Sequence, residues 1–183
     1  MGYEAALHKA WEEIEAVSPG KIKPVRFLAD EYDIDCNNKR VLSLACNVPA
    51  KDHTAILVLH YAARRAKGLP ELAGEWVSFR QLEGGQGYYP AFKKRVLDPI
   101  LRKYGSNPQA IWNIDSRFKV QQADMADAAV SLDIFEGVPV LITLWKGDDE
   151  FGAEANVLFD RSIAEIFCTE DTIVMAGLLA YNV

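Results

Sequence analysis

Asp148, Asp149 and Glu150 stand together in Trp145-Lys-Gly-Asp-Asp-Glu-Phe151, directly after the apolar run Val138 to Trp145. Such a run reads as a buried strand, and rigid strands commonly present polar chemistry at their ends. Hard cations such as magnesium or calcium take oxygen ligands, often from one or two carboxylates plus water. Asp148, Glu150 and Asp160, the last from Val157-Leu-Phe-Asp160, could therefore serve as magnesium ligands or as acid–base groups. The stretch does not match the calcium-loop pattern of alternating ligands closed by a Glu. Two simpler readings compete with a site. In one, Gly147 supplies the bend and the carboxylates face water; in the other, they cap backbone amides.

A second candidate is the glycine-rich turn Gly84-Gly-Gln-Gly-Tyr-Tyr-Pro90. Amides at a helix start attract anions, and Gly84, Gly85 and Gly87 would let the backbone approach one closely. The spacing is neither the dinucleotide G-x-G-x-x-G nor the Walker P-loop, so a plain turn between strand and helix explains it equally. Tyr88 and Tyr89 are adjacent and cannot face the same way, so one of them is expected to be exposed or at a cleft rim. Local charge is asymmetric. Lys93, Lys94, Arg95, Arg102, Lys103, Arg117 and Lys119 outnumber Asp98 and Asp115, whereas 145–160 is acidic. The two segments could face each other across a cleft or pair as weak surface charges.

His8, His53 and His60 form no metal-ligand spacing with Cys36, Cys46 or Cys168. His60 falls in an apolar helix and reads as a satisfied core histidine. Cys46 and Cys168 read as inert small hydrophobes, and Cys36, in a polar turn, as the exposed thiol.

These residues need elements to hold them. Tyr3 to Val17 has Leu7, Trp11, Ile14 and Val17 at helical spacing, ended by Ser18-Pro-Gly20. Val25 to Ala29 and Val41 to Cys46 are candidate strands around a polar turn at Asp33–Lys39. Asp52 is placed to cap a deeply packed helix from His53 to Lys67, with Arg64, Arg65 and Lys67 in its last turn. Trp76 to Leu82 alternates as a strand, and a helix starts near Pro90 with the stripe Phe92, Val96, Ile100, Tyr104 and a kink at Pro99. Ala123 to Val130 reads as a short helix. Val138 to Trp145 is the clearest strand, with Pro139 at its start or at an edge, and Asn156 to Phe159 pairs back with it. Thr169 is placed to cap a last helix to about Leu179. Helix and strand mix without regular alternation, so the expected fold is α+β, one domain over 1–183, with a mixed or largely antiparallel sheet and helices packed against it.

The totals set bounds. Half of the 183 residues are hydrophobic, a quarter are charged, and the net charge is −6. That balance suits a globular domain and argues against broad nucleic-acid binding, which needs a concentrated cationic face. The longest apolar segment, Ala55 to Ala63, is too short for a bilayer. The odd cysteine count and the absence of a signal-like start point to a cytoplasmic protein.

Trp76-Val-Ser-Phe-Arg-Gln-Leu82 with Gly84-Gly85, Phe92, Trp145-x-Gly-Asp-x-Glu-Phe151 and Leu158-Phe-Asp160 resemble the prokaryotic family catalogued as domain of unknown function 3786. The likeness covers most of the chain and is most specific from Trp145 to Asp160. The family motif commonly reads G-D-E-E-F-P; here Asp149 and Gly152 take the third and last places. The resemblance implies a cytoplasmic protein, often of anaerobic bacteria and archaea. Some members are joined to a four-cysteine iron–sulfur domain like that of corrinoid acetyl-CoA pathway proteins, which this chain's own cysteines do not supply.

Three functions are compatible with these residues. The preferred one is a non-catalytic binder of an anionic small molecule or cofactor, accessory to iron–sulfur or corrinoid metabolism. Its expected site is Gly84, Gly85, Gly87, Tyr88, Tyr89, Trp145, Asp148, Glu150 and Asp160. The second is a magnesium-assisted enzyme using Asp148, Glu150 and Asp160. The third is an interaction module for a redox or methyl-transfer protein, with the acidic loop as its rim.

Overall fold

A computed structural model describes residues 3–18 and 22–183. Helix α1 (Glu4–Val17) comes first, followed by a three-stranded meander of β1 (Val25–Phe27), β2 (Asp30–Asp35) and β3 (Arg40–Ser43). Then come α2 (Asp52–Lys67), β4 (Trp76–Ser78), α3 (Gly85–Phe92), a π-helical turn at Lys93–Leu97 and α4 (Asp98–Tyr104). The chain closes with β5 (Gln121–Gln122), β6 (Ala128–Phe135), β7 (Val138–Trp145), β8 (Glu154–Asp160) and α5 (Thr169–Asn182). Among the described residues the eight strands form one antiparallel sheet, ordered β3-β2-β1-β6-β7-β8-β4, with β5 also pairing β6. The fold is α+β.

The sheet's core rows follow from period-2 alternation. Val130, Ile142 and Val157 lie in register across β6, β7 and β8, as do Leu132, Val140, Phe159 and Val77 across β6, β7, β8 and β4. All seven are buried. Aromatic rings tie the helices to this layer: Phe79 stacks on Phe92 at 4.2 Å, and Tyr61 and Phe27 each stack on Phe135 at 4.6 Å. Phe92, Val96, Ile100 and Tyr104 form the buried stripe expected of the α3–α4 segment. The π turn immediately precedes Asp98-Pro99, so the strain of an interior proline is taken up by a widened turn.

Several local expectations are corrected. Asp33 to Asp35 continue β2, because Tyr32 and Ile34 supply the alternation that its acidic residues obscure; the turn is confined to Cys36–Lys39. The strand expected over Trp76–Leu82 stops at Ser78, where Ser78 and Gln81 form a capping box around a 3-10 turn. Ala123 to Val130 is not helical: β6 takes Ala128 onward, since six of the eight residues from Ala128 to Phe135 are apolar and the sheet buries them on both faces, with Ser131 and Asp133 half-buried. The helix expected near Pro90 begins at Gly85. Lys51, not Asp52, is the N-cap of α2, and no side chain caps it. Cys168 caps α5 through its sulfur, while Thr169 donates to the Glu83 carbonyl. Pro19 and Gly20, expected to end α1, lie outside the described residues. Among the described residues no helix is long and apolar enough to cross a membrane.

Candidate functional site

The acidic loop closes on itself. Asp148 Oδ1 accepts the amides of Glu150 at 2.9 Å and Phe151 at 2.8 Å, and its own amide donates to the Phe151 carbonyl at 2.8 Å. These backbone bonds hold its carboxyl below the usual range. Gly147 is required for the closure, since a Cβ there would lie 2.7 Å from the Ala153 nitrogen. Asp160 sits at the other end of β8: Trp145 pairs with Glu154 and Trp76 with Asp160. A seven-residue strand separates those ends by about 20 Å. The buried Asp160 carboxylate accepts three amides, from Ala73 at 2.9 Å, Gly74 at 2.8 Å and Ser162 at 3.0 Å. Burial alone would raise its pKa, but these bonds outweigh it and the value is lowered. Asp148, Glu150 and Asp160 do not converge. Among the described residues no group of three or more His, Cys, Asp or Glu is placed to hold a metal ion.

The glycine turn serves packing. A Cβ on Gly85 would fall 1.9 Å from the Phe79 carbonyl oxygen, so the helix start lies against backbone. The Gly85 and Gly87 amides donate to the Leu82 and Gly84 carbonyls, which leaves neither for an anion. Gly84 is the N-cap at φ +71°, where glycine is favoured. Tyr88 is the exposed member of its pair and donates to Glu170 at 3.0 Å, while Tyr89 is half-buried under the Arg80 guanidinium, 3.6 Å from its ring centre. The turn and the acidic loop sit at opposite ends of α3–π–α4: a Cβ on Gly105, just past α4, would touch Ala153 at 3.4 Å. Twenty helical residues span about 30 Å. The glycine turn, Trp145 and the acidic loop therefore do not share one cleft. Lys93 and Arg117 pair with Asp98 and Asp115 inside their own segment rather than with the acidic one.

A different region brings polar chemistry together. A cleft of about 880 Å³ runs along α2, walled by α1 on one side and by Glu165–Val174 on the other. Helices α1 and α2 run parallel, because Tyr3 lies 6.1 Å from His53 at one end and Glu13 lies 2.9 Å from Lys67 at the other. Helix α5 runs the opposite way: Asp171 meets His60, and Glu165, upstream of it, meets Arg64. One end of the cleft is apolar, with Tyr3, Ala6, Ile56, Leu57 and Val174; the other carries Lys9, Glu13, His60, Arg64, Lys67 and Glu165.

In the polar part of the cleft His60 Nδ1 is 2.7 Å from Asp171 Oδ2, with side-chain exposures of 24% and 14%. Burial pulls the imidazole pKa down, and Lys9 adds to that. The hydrogen bond and charge of Asp171, with the charge of Glu13, outweigh both, so His60 titrates above its ordinary value. Cys168 is exposed on the same lining, but desolvation of its sulfur and the charge of Asp171 push the thiol up to about 11. It is therefore protonated at neutral pH and is not an activated nucleophile.

His60 is satisfied, as expected, yet it faces a cleft rather than the core. Cys46 and Cys168 prove exposed and Cys36 half-buried, the reverse of the expectation. The one available signal for this site was a polar side chain inside the nearly all-apolar stretch Ala55–Ala63. Its partner lies 111 positions away, too far for any local motif to join them.

A family model described as Domain of unknown function (DUF3786) matches residues 12–182. The chain belongs to that family. No curated protein and no solved structure matches it.

Proposed function

We propose that the domain is a non-catalytic binder of an anionic small molecule or cofactor, held in the cleft between α1, α2 and α5. The observation that carries this reading is the cleft itself. Its volume of about 880 Å³ falls in the usual range of ligand sites, and an apolar floor meets convergent polar groups, one with a shifted pKa. The protonated Cys168 thiol favours binding over nucleophilic catalysis. An accessory place beside iron–sulfur or corrinoid chemistry is the setting that the family resemblance implies.

Native mass spectrometry of protein purified without oxygen tests the proposal. A retained organic mass that disappears in Ala6→Trp, where an exposed alanine on the lining is replaced by a bulky side chain, supports it. A retained mass that survives that substitution places the ligand elsewhere and refutes it.

A further inference from the structure

We infer that the ligand of this cleft is an elongated amphipathic anion, its carboxylate or phosphate head on His60 and Lys9 and its apolar body lying toward Tyr3 and His53, and that binding draws a proton onto His60. The inference deepens the proposed binding function and rests on it.

The unengaged groups select the head. Glu13 is held by Lys67 at 2.9 Å, Glu165 lies 3.7 Å from Arg64, Glu170 accepts from Tyr88 at 3.0 Å, and Asp171 is engaged by His60. Arg64 also donates to the carbonyls of Glu165 at 3.0 Å and Gly68 at 2.5 Å. Each acid of the lining thus has a partner, as do Arg64 and Lys67. Among the described residues Lys9 enters no ion pair, and His60 bonds through Nδ1 alone. What remains is two donors, the Lys9 ammonium and His60 Nε2, and donors call for an anion.

The proton follows from the same geometry. With Nδ1 facing a carboxylate, that nitrogen keeps its hydrogen in both charge states, so Nε2 is the one that titrates. A neutral ring would present a lone pair to the anion; an imidazolium presents an N–H. The charges around it make the same demand. With a monoanion bound, Lys9, Arg64, Lys67 and a protonated His60 set against Glu13, Glu165, Glu170 and Asp171 leave one negative charge in excess, whereas a neutral His60 would leave two. His53, at the apolar end, has its pKa lowered by burial and by Lys51 and adds no charge at neutral pH; nor does the Cys168 thiol.

The apolar body follows from the parallel helices. Along α1 the lining passes from Tyr3 and Ala6 to Lys9 and Glu13; along α2 it passes from His53, Ile56 and Leu57 to His60, Arg64 and Lys67. Both gradients point the same way. Beyond the apolar end a second depression of about 390 Å³ shares Tyr3, His53 and Val174 and continues past Ile173 and Leu178, with the exposed Arg95 also on its lining. From His60 to His53 alone is about 10 Å of helix.

Isothermal titration of the full chain with decanoate, decyl phosphate and decyltrimethylammonium tests this. One or both anions bind and the cation does not; which anion binds more tightly separates a carboxylate source from a phosphate source. For decanoate, which stays ionised throughout, affinity is flat below about pH 6.5 and falls as pH rises through the raised value of His60, by up to tenfold per pH unit. Titrations in two buffers of different ionisation enthalpy show uptake of a proton. His60→Gln, checked for folding by its melting curve, binds more weakly and loses the pH dependence. Equal binding of the cation, pH-independent decanoate affinity, or an unchanged pH dependence in His60→Gln overturns the inference. If neither anion binds but the purified protein retains a neutral organic mass that Ala6→Trp removes, the inference falls while the binding function stands.

Discussion

In the hairpin between β7 and β8, polar groups answer each other within three residues: Asp148 caps Glu150 and Phe151, and Gly147 closes the bend. In the α1–α2–α5 cleft the pairs join distant parts of the chain, Glu13 with Lys67 and His60 with Asp171. The first arrangement satisfies backbone amides through the Asp148 carboxylate. The second holds side chains at the wall of a shared space, engaged on one side and open on the other. A cluster in sequence is often a turn meeting its own needs; a site is built where separate elements aim unlike groups at one volume.

Substitutions should separate residues that serve the backbone from those that face the cleft. The largest effect is expected at Gly85→Ala. A Cβ within 1.9 Å of a backbone oxygen cannot be relieved by a side-chain movement. We expect a loss of about 3 kcal/mol or more in urea denaturation, toward the top of the overpacking range. A stable, folded variant would reopen the glycine turn as a ligand-facing loop.

Asp160→Ala comes next. It strands three amides beside a buried position, and denaturation should show a loss of about 2–3 kcal/mol. Because Asp160 titrates below its ordinary value in the fold, its contribution is present above the ordinary carboxylate range and is lost as pH falls through the lowered value. The melting-temperature gap between wild type and Asp160→Asn should therefore close in acid. A gap that widens in acid would contradict a structural carboxylate.

His60→Gln is expected to be milder and to have the opposite pH sign. The folded imidazole titrates above its ordinary value, so the stability it confers is fully present below about pH 6.5 and fades as pH rises through the raised value. Melting curves should separate most at the acid end of that window. Separation that grows with pH would mean that Asp171 does not hold an imidazolium.

Asp148→Ala is expected to be the smallest. It removes two solvent-exposed backbone caps and should lower the melting temperature slightly, with no change in decanoate affinity. A large loss of affinity would restore the acidic loop as a site.

Much of the architecture can be read from the chain because its signals are local. Val138 to Trp145 forms one strand over those residues, α1 buries Trp11 and Ile14 of its periodic stripe, α2 is deeply packed along Ala55–Ala63, and Phe92, Val96, Ile100 and Tyr104 are buried together. The misreadings arise where tertiary context overrides local preference. β2 is a strand despite its three aspartates because both neighbours pair with it. Gly85 opens a helix despite its poor propensity because nothing larger fits over Phe79. The cleft was the least legible part. Lys9, His60 and Asp171 are unremarkable in isolation, and only the parallel course of α1 and α2, set by the meander between them, aligns their lining residues.

The most direct test of which region holds the ligand is amide NMR of the full chain during addition of decanoate. Shift changes concentrated at Ile56, Leu57, His60, Asp171 and Val174, with Gly84–Tyr89 and Asp148–Glu150 unmoved, are the expected result. Changes centred on the glycine turn or the acidic loop, with the cleft silent, would contradict it.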